Sequence, residues 1–319
     1  ENFDGTKNWY SVSQVPYGEE GKIMGIIGFM VDISKKKHYE KVLEEALNRT
    51  NIQKYELENS SRGMQESMKY AKRIQDALLT SSNEVIQNYI PNSFIYNKPK
   101  DIVGGDFIYA AATADGIVCA VADCTGHGTP GALMSVMAIS LLNDIFGMTI
   151  WKHTPADVLE ELRHRVISTF SNSMVERESF DMCMIFKEFN SDKIIYAGAN
   201  LPLYICRNNE LIKLEAVRCP IGAHPRQTSF INYEFKIQKG DMLYLASDGY
   251  SDQFGHIENR RYFQSDFAQL LARISSKDLK SQKQILDEVH EDWKGDRKQT
   301  DDITIFGIKV SEINEENAI

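Results

Sequence analysis

The chain has 319 residues, 42% hydrophobic and 25% charged, enough apolar material for a sizeable core and a length that predicts two domains. Lys and Arg number 36 against 45 Asp and Glu, a formal charge of −9 that argues against a nucleic-acid binder held by phosphate contacts. The 5 cysteines form no C-x-x-C pair, so neither a zinc site nor a disulfide framework is expected, and reduced thiols in a cytoplasmic protein are the simpler reading.

The first elements are two strand-like runs, WYSVSQVPY at 9 to 17 and IMGIIGFMVDI at 23 to 33, separated by a glycine-bounded turn. This hairpin cannot bury its faces alone. Its Asp32-Ile33-Ser34 exit into a charged helix resembles the C-terminal end of a PAS domain, so 1–34 is expected to be the last part of a PAS-like sensor. No run approaches 18 consecutive apolar residues and no leader pattern opens the chain, so no membrane segment is predicted in it. The first residue, Glu1, leaves room for an upstream membrane or sensor region.

Residues 35–81 contain no proline, and a 4–3 spacing runs through Tyr39, Leu43, Ala46, Thr50, Gln53, Leu57, Ser60, Met64, Ser67, Ala71, Ile74 and Leu78. That seam predicts a helical linker, either a coiled coil pairing two chains through 39–78 or an amphipathic helix packed on its own domain. Its middle is weakened by polar residues, a composition that lets register change at low cost.

Beyond Pro91 the pattern turns to strands at 93 to 97, 106 to 112 and 116 to 123. Thr129-Pro130 opens an apolar helix reaching Phe146, and Pro155 opens another to about 174. Strands are expected at 180 to 189, 193 to 198, 202 to 207, 230 to 237 and 241 to 247, helices at 262 to 274 and 279 to 294, and a last strand at 303 to 310. This order predicts two sheets with helices outside.

Four acidic signatures lie at the edges of these strands: GGDF at 104 to 107, DCTGHG at 123 to 128, SDG at 247 to 249 and TDD at 300 to 302. Each alone is an ordinary turn device. Carboxylates gathered at strand ends only by folding are a way to build a hard-cation site, because crowding them without a cation is costly.

With YAKRIQDAL, KPKDIVGGDF, DCTGHGTPGALMS, GANLPLY, PIG, LYLASDGYSDQ and QTDDIT, the chain from about 70 to 310 resembles the SpoIIE/RsbU-type branch of the PPM (PP2C-like) serine/threonine phosphatases. The resemblance implies an α+β fold over 82–319, a PP2C-like β-sandwich flanked by helices in α-β-β-α layers, preceded by the helical linker and the short PAS-like segment. It implies two Mn²⁺ or Mg²⁺ ions, with Asp123 bridging them, the Cys124 carbonyl completing one sphere, Asp248 and Asp301 on the other ion, Asp106 binding directly or through water, and Asp302 as a further candidate ligand. A water acidified by the two ions would attack a phosphoserine or phosphothreonine in line, with no covalent phosphoenzyme.

The implied substrate is a phosphorylated STAS-type anti-anti-sigma regulator in a bacterial partner-switching system, with activity gated through a dimeric linker. Cys124-Thr125 separates Asp123 from Gly126-His127, whereas the PP2C pattern is D-G-H-G, so His127 is either the leaving-group acid or a turn residue. Lys98, Lys100 and Arg226 are candidate phosphate contacts, with solvated charge as the alternative. A catalytically silent interaction module of the same fold is the alternative function. A histidine kinase is disfavoured, since no phosphoacceptor run or glycine-rich ATP lid is present.

Overall fold

The computed structural model describes residues 8–19, 21–126, 128–147, 153–171 and 178–311. The chain divides into two compact units, Glu1–Gln65 and Glu66–Ile319.

In the first unit, β1 (Tyr10–Glu19) and β2 (Lys22–Asp32) pair antiparallel with Tyr10 opposite Asp32 and a bulge at Tyr17/Gly18. Apolar side chains on both faces of this hairpin, Val12, Ile26 and Phe29 among them, stay exposed. Its exit is locked locally: Ser34 N donates to Asp32 Oδ1 at 2.8 Å and Trp9 N donates to Ser34 Oγ at 2.8 Å. Helix α1 (Ser34–Leu78) follows. Its seam residues Tyr39, Leu43, Leu57 and Met64 are exposed.

In the second unit, the last turns of α1 bury one face, on which Gln75 is enclosed and Leu78 packs on the core. The chain bends at Leu79 and continues as α2 (Thr80–Tyr89), a separate helix where the linker was expected to end. The strands are β3 (Ser93–Lys98), β4 (Phe107–Ala112), β5 (Gly116–Cys124), β6 (Ser179–Glu188), β7 (Lys193–Ala199), β8 (Leu203–Arg207), β9 (Glu210–Leu214), β10 (Ile221–Gly222), β11 (Tyr233–Lys236), β12 (Met242–Ala246) and β13 (Ile303–Lys309). One sheet runs β11-β7-β6-β5-β4 with β10 on β6, and the other β3-β13-β12-β8-β9. The short β9 and β10 were not expected from the pattern.

Alternation builds the layers. On β5, Ile117, Cys119 and Val121 join the core between the sheets, while Val118, Ala120 and Ala122 face outward beneath α3 (Thr129–Phe146) and α4 (Pro155–Phe170). Likewise Leu243 and Leu245 of β12 lie between the sheets, and Met242 and Tyr244 pack under α6 (Gln264–Ile274) and α7 (Leu279–Lys294). The result is the α-β-β-α sandwich.

Helix α3 has the length and composition of a membrane span, yet Ala138, Ile139 and Leu142 are fully buried against the sheet, as in a core helix. The N-terminus of α4 is fixed by a capping box between Thr154 and Asp157 with Pro155 in the first turn. Its expected last residues, near Met174, lie outside the described residues. The short α5 (Gly249–Asp252) follows β12. All five cysteines are buried and unpaired.

Candidate active site

The same alternation aims the acidic signatures. Ile108 and Ala110 of β4 lie between the sheets, and two residues before Ile108 comes Asp106. On β5 the inter-sheet row Ile117, Cys119, Val121 ends in Asp123, and on β6 the row Ile185, Cys183 ends in Asp181. Strand β12 adds Ser247 after Leu245, and β13 adds Thr304 and Asp302 before Phe306. A period of two therefore carries polar side chains to one end of the apolar inter-sheet layer. Pairing sets the register, with Asp123 directly opposite Asp181 and Phe107 opposite Ala122, which brings Asp106 beside Asp123.

There the strands open into a cleft of about 400 Å³ whose walls include Asp123, Cys124, Asp181, Asp248 and Asp301, with Asn200, Pro220 and His224 on one rim and Thr125 and Gly126 also lining it. The structure thus brings together Asp123, Asp248, Asp301 and Cys124. Asp106 lies behind them, buried, accepting from Ser247 Oγ at 2.6 Å. Asp302 lies beside Asp106 and holds the loop that leads to it: its Oδ1 accepts from Lys100 N at 2.7 Å and its Oδ2 from Gly105 N at 2.8 Å.

Close backbone approach needs glycine at two points. A Cβ on Gly105 would lie 2.8 Å from the Cys124 carbonyl oxygen and 3.0 Å from that of Gly126, and one on Gly249 would overlap the Asp302 carbonyl. The loop bearing Asp301 is held by Gln253, whose Oε1 accepts from Thr300 N at 3.0 Å, and by Gln299, which donates to the Asp301 carbonyl at 2.8 Å. Gln75, from the end of α1, donates to the Gly104 carbonyl at 3.0 Å and to Ser135 Oγ at 2.7 Å, tying α1 to the GGDF loop and to α3.

Crowding shows in the electrostatics. Burial, with Asp302 and Asp248 adding to it, pushes the Asp106 carboxyl up to about 8, against the pull of Ser247 and Thr304. Asp123 is raised well above the usual carboxylate range by burial and by Asp106, Asp248 and Asp301. Burial also raises Asp248, with Asp252 and Asp301 adding to it, while a hydrogen bond with Asp123 and the Arg261 charge pull the other way.

Among the described residues no three His, Cys, Asp or Glu side chains form a ready-made metal cage. The chemistry of the donors fits a hard divalent cation: the carboxylates of Asp123, Asp181, Asp248 and Asp301 line one cleft and offer oxygen.

Sequence reasoning missed Asp181, raised to about 6 mainly by burial and bonded by Asn200 Nδ2 at 2.8 Å. The signal was present as a lone Asp in the alternating row Asp181, Cys183, Ile185 of an otherwise apolar strand. His224 was missed as well. His127 lies outside the described residues. As a phosphate contact Lys98 is corrected, because its ammonium is engaged by Asp287 and Glu291 of α7. Lys100 and Arg226 enter the site through their backbones, the first on Asp302 and the second on His224.

Residues 113–311 match the family Stage II sporulation protein E (SpoIIE). The chain is 26% identical over 207 residues to phosphoserine phosphatase RsbU of Bacillus subtilis (strain 168), across 62% of this chain and 58% of that protein's length. Among solved structures it resembles the SiaA-PP2C domain of Pseudomonas aeruginosa, at 28% identity and a TM-score of 0.72 over 79% of this chain and 99% of that one. The fold is also that of the PP2C phosphatase domain and regulatory-domain fragment of SpoIIE from Bacillus subtilis, with 18% identity, a TM-score of 0.54 and coverage of 69% and 63%.

Proposed function

The chain belongs to the SpoIIE family, and from that premise we propose that it is a metal-dependent protein serine/threonine phosphatase acting on a phosphorylated regulatory protein of STAS type. The carrying observation is the convergence of Asp123, Asp248, Asp301 and Cys124 on one cleft, with the carboxyls of Asp106, Asp123 and Asp248 raised by burial and crowding. That is a donor set in need of positive charge. RsbU is named a phosphoserine phosphatase, and the kinship supports the same chemistry here.

In this reading Asp123, the Cys124 carbonyl, Asp248 and Asp301 would hold two Mn²⁺ or Mg²⁺ ions, with Asp123 shared between them and Asp106 in support from behind. The ions supply Lewis acidity that activates water and neutralises phosphoryl charge. The protein's part is positioning. Ser247 orients Asp106, the Asp302 clamp fixes the Gly104-Gly105 turn, and Gln253 and Gln299 fix the Asp301 loop. Alternation keeps the inter-sheet core apolar up to the cleft.

We further propose that residues 1–34 are the end of a PAS-like sensor and that 39–78 pairs two chains, gating the phosphatase through α1. The test is Mn²⁺-dependent release of phosphate from a phosphoserine substrate. Asp123→Asn and Asp248→Asn are each expected to lower it by more than about 100-fold with the far-UV spectrum unchanged. Full activity in either variant overturns the metal assignment. A Mn²⁺ titration without heat would instead favour the catalytically silent module.

A further inference from the structure

Cleaving a phosphoserine leaves an alkoxide, which must take a proton as it departs. The carboxylates proposed to hold cations cannot supply it. We propose that His224 is the general acid of this site, protonating the serine oxygen as the P–O bond breaks. The proposal rests on the phosphatase reading and adds to it the group that serves the leaving oxygen.

The fold puts His224 at the cleft by register. Strand β10 pairs with β6 so that Ile221 faces Phe180 and Gly222 faces Ser179, immediately before Asp181, the cleft-wall partner of Asp123. Two residues past Gly222 the chain reaches His224, which lines the same cleft as Asp123, Asp248 and Asp301. The loop that carries it is closed on itself. Buried Cys219 places its Sγ 3.6 Å from the Arg226 carbonyl oxygen, and the Arg226 backbone returns to the imidazole.

One backbone group, the Arg226 carbonyl, fixes the ring in both charge states of the step. Nδ1 lies 3.2 Å from the Arg226 backbone N–H and 3.0 Å from the Arg226 carbonyl oxygen. An imidazolium donates Nδ1–H to the carbonyl, and the neutral ring left when Nε2 gives up its proton keeps that Nδ1–H and the same bond. The ring need not turn when it gains or loses a proton, and Nε2 is the nitrogen left to serve the cleft. Such a base-orienting contact on the far nitrogen is the arrangement acid–base catalysis requires of histidine.

The step balances without another reactant than water. The oxygen of water forms the new bond to phosphorus and its proton passes to solvent. The electron pair of the broken P–Oγ bond stays on Oγ, which takes the Nε2 proton to become the serine hydroxyl. Hydrogen phosphate leaves, and the imidazole regains its proton from solvent.

The experiment compares leaving groups in the full, Mn²⁺-loaded chain. p-Nitrophenyl phosphate leaves as a stable phenolate and needs no acid, whereas a phosphoserine peptide and alkyl phosphates do. For His224→Gln, kcat/KM toward the peptide and alkyl phosphates is expected to fall by about 100-fold or more, with p-nitrophenyl phosphate turnover within about threefold and Mn²⁺ affinity by calorimetry unchanged.

Equal losses on all substrates would make His224 structural, and no loss on any would leave the acid elsewhere. Either overturns the proposal while the wild-type turnover upholds the phosphatase. Absence of Mn²⁺-dependent turnover in the wild type sinks the phosphatase reading and this one with it. A readout without metal is the ring's ¹⁵N spectrum: the neutral form is expected to carry its proton on Nδ1, bonded to the Arg226 carbonyl with Nε2 open to the cleft, and an Nε2–H neutral ring overturns the geometry.

Discussion

His290 on α7 is 1% exposed, and neither ring nitrogen has a hydrogen-bond partner among the described residues. The Tyr250 ring stands 5.5 Å away, and Lys98, Lys294, Asp287 and Glu291 surround it with mixed charge. Burial, helped by Lys98, holds the imidazole down at about 4, below the ordinary histidine value. A base whose folded pKa is depressed binds protons more readily when unfolded, so stability is lost as pH falls from the unfolded value of about 6.5 toward 4. By pH 5 the loss amounts to about 2 kcal/mol relative to pH 7.5. Urea unfolding at the two pH values should show it in the wild type, and His290→Leu should lose less by about that amount. Equal losses in the two proteins would mean that the ring is hydrated or paired when folded.

At the scale of elements, α1 is where sequence and structure inform each other most. The 4–3 spacing foresaw an uninterrupted helix, and the structure leaves Leu43, Leu57 and Met64 of that seam exposed. Near its end the helix turns another face inward through Gln75, a polar residue off the apolar pattern, which is why periodicity alone did not single it out. The strands and helices carrying the acidic signatures were legible because alternation and capping are local. Two-residue β10 was not, since its existence depends on β6 lying beside it, and with it went the rim that holds His224. Asp181 was hidden for a related reason: its partner across the strand pair, Asp123, is distant in sequence. If the seam carries a signal, Leu57→Asp in the full chain should change the phosphatase rate while the unit from Glu66 onward keeps its Mn²⁺ affinity. An unchanged rate would remove the coupling.

At the scale of the molecule, the sandwich between α3, α4 and α6, α7 gains stability from its apolar layers and gives some back at the acidic end of the inter-sheet layer. Asp106, raised to about 8, binds its proton more tightly folded than unfolded. This contribution to metal-free stability is therefore present in full below the ordinary carboxylate range and is lost as pH rises from there through about 8, opposite in sign to that of His290. Cations that bind only the folded state reverse the decline, adding about 2.7 kcal/mol at a hundredfold excess over Kd. For a unit of this size that is a rise in Tm of about 5–10 °C. Differential scanning calorimetry at pH 8 with chelator and with Mn²⁺ measures both effects. Asp123→Asn removes one of the mutually repelling charges, so its metal-free Tm should exceed that of the wild type, and its rise with Mn²⁺ should be small. A variant that is less stable without metal, or one that keeps the full rise, would show that Asp123 serves the fold rather than the cations.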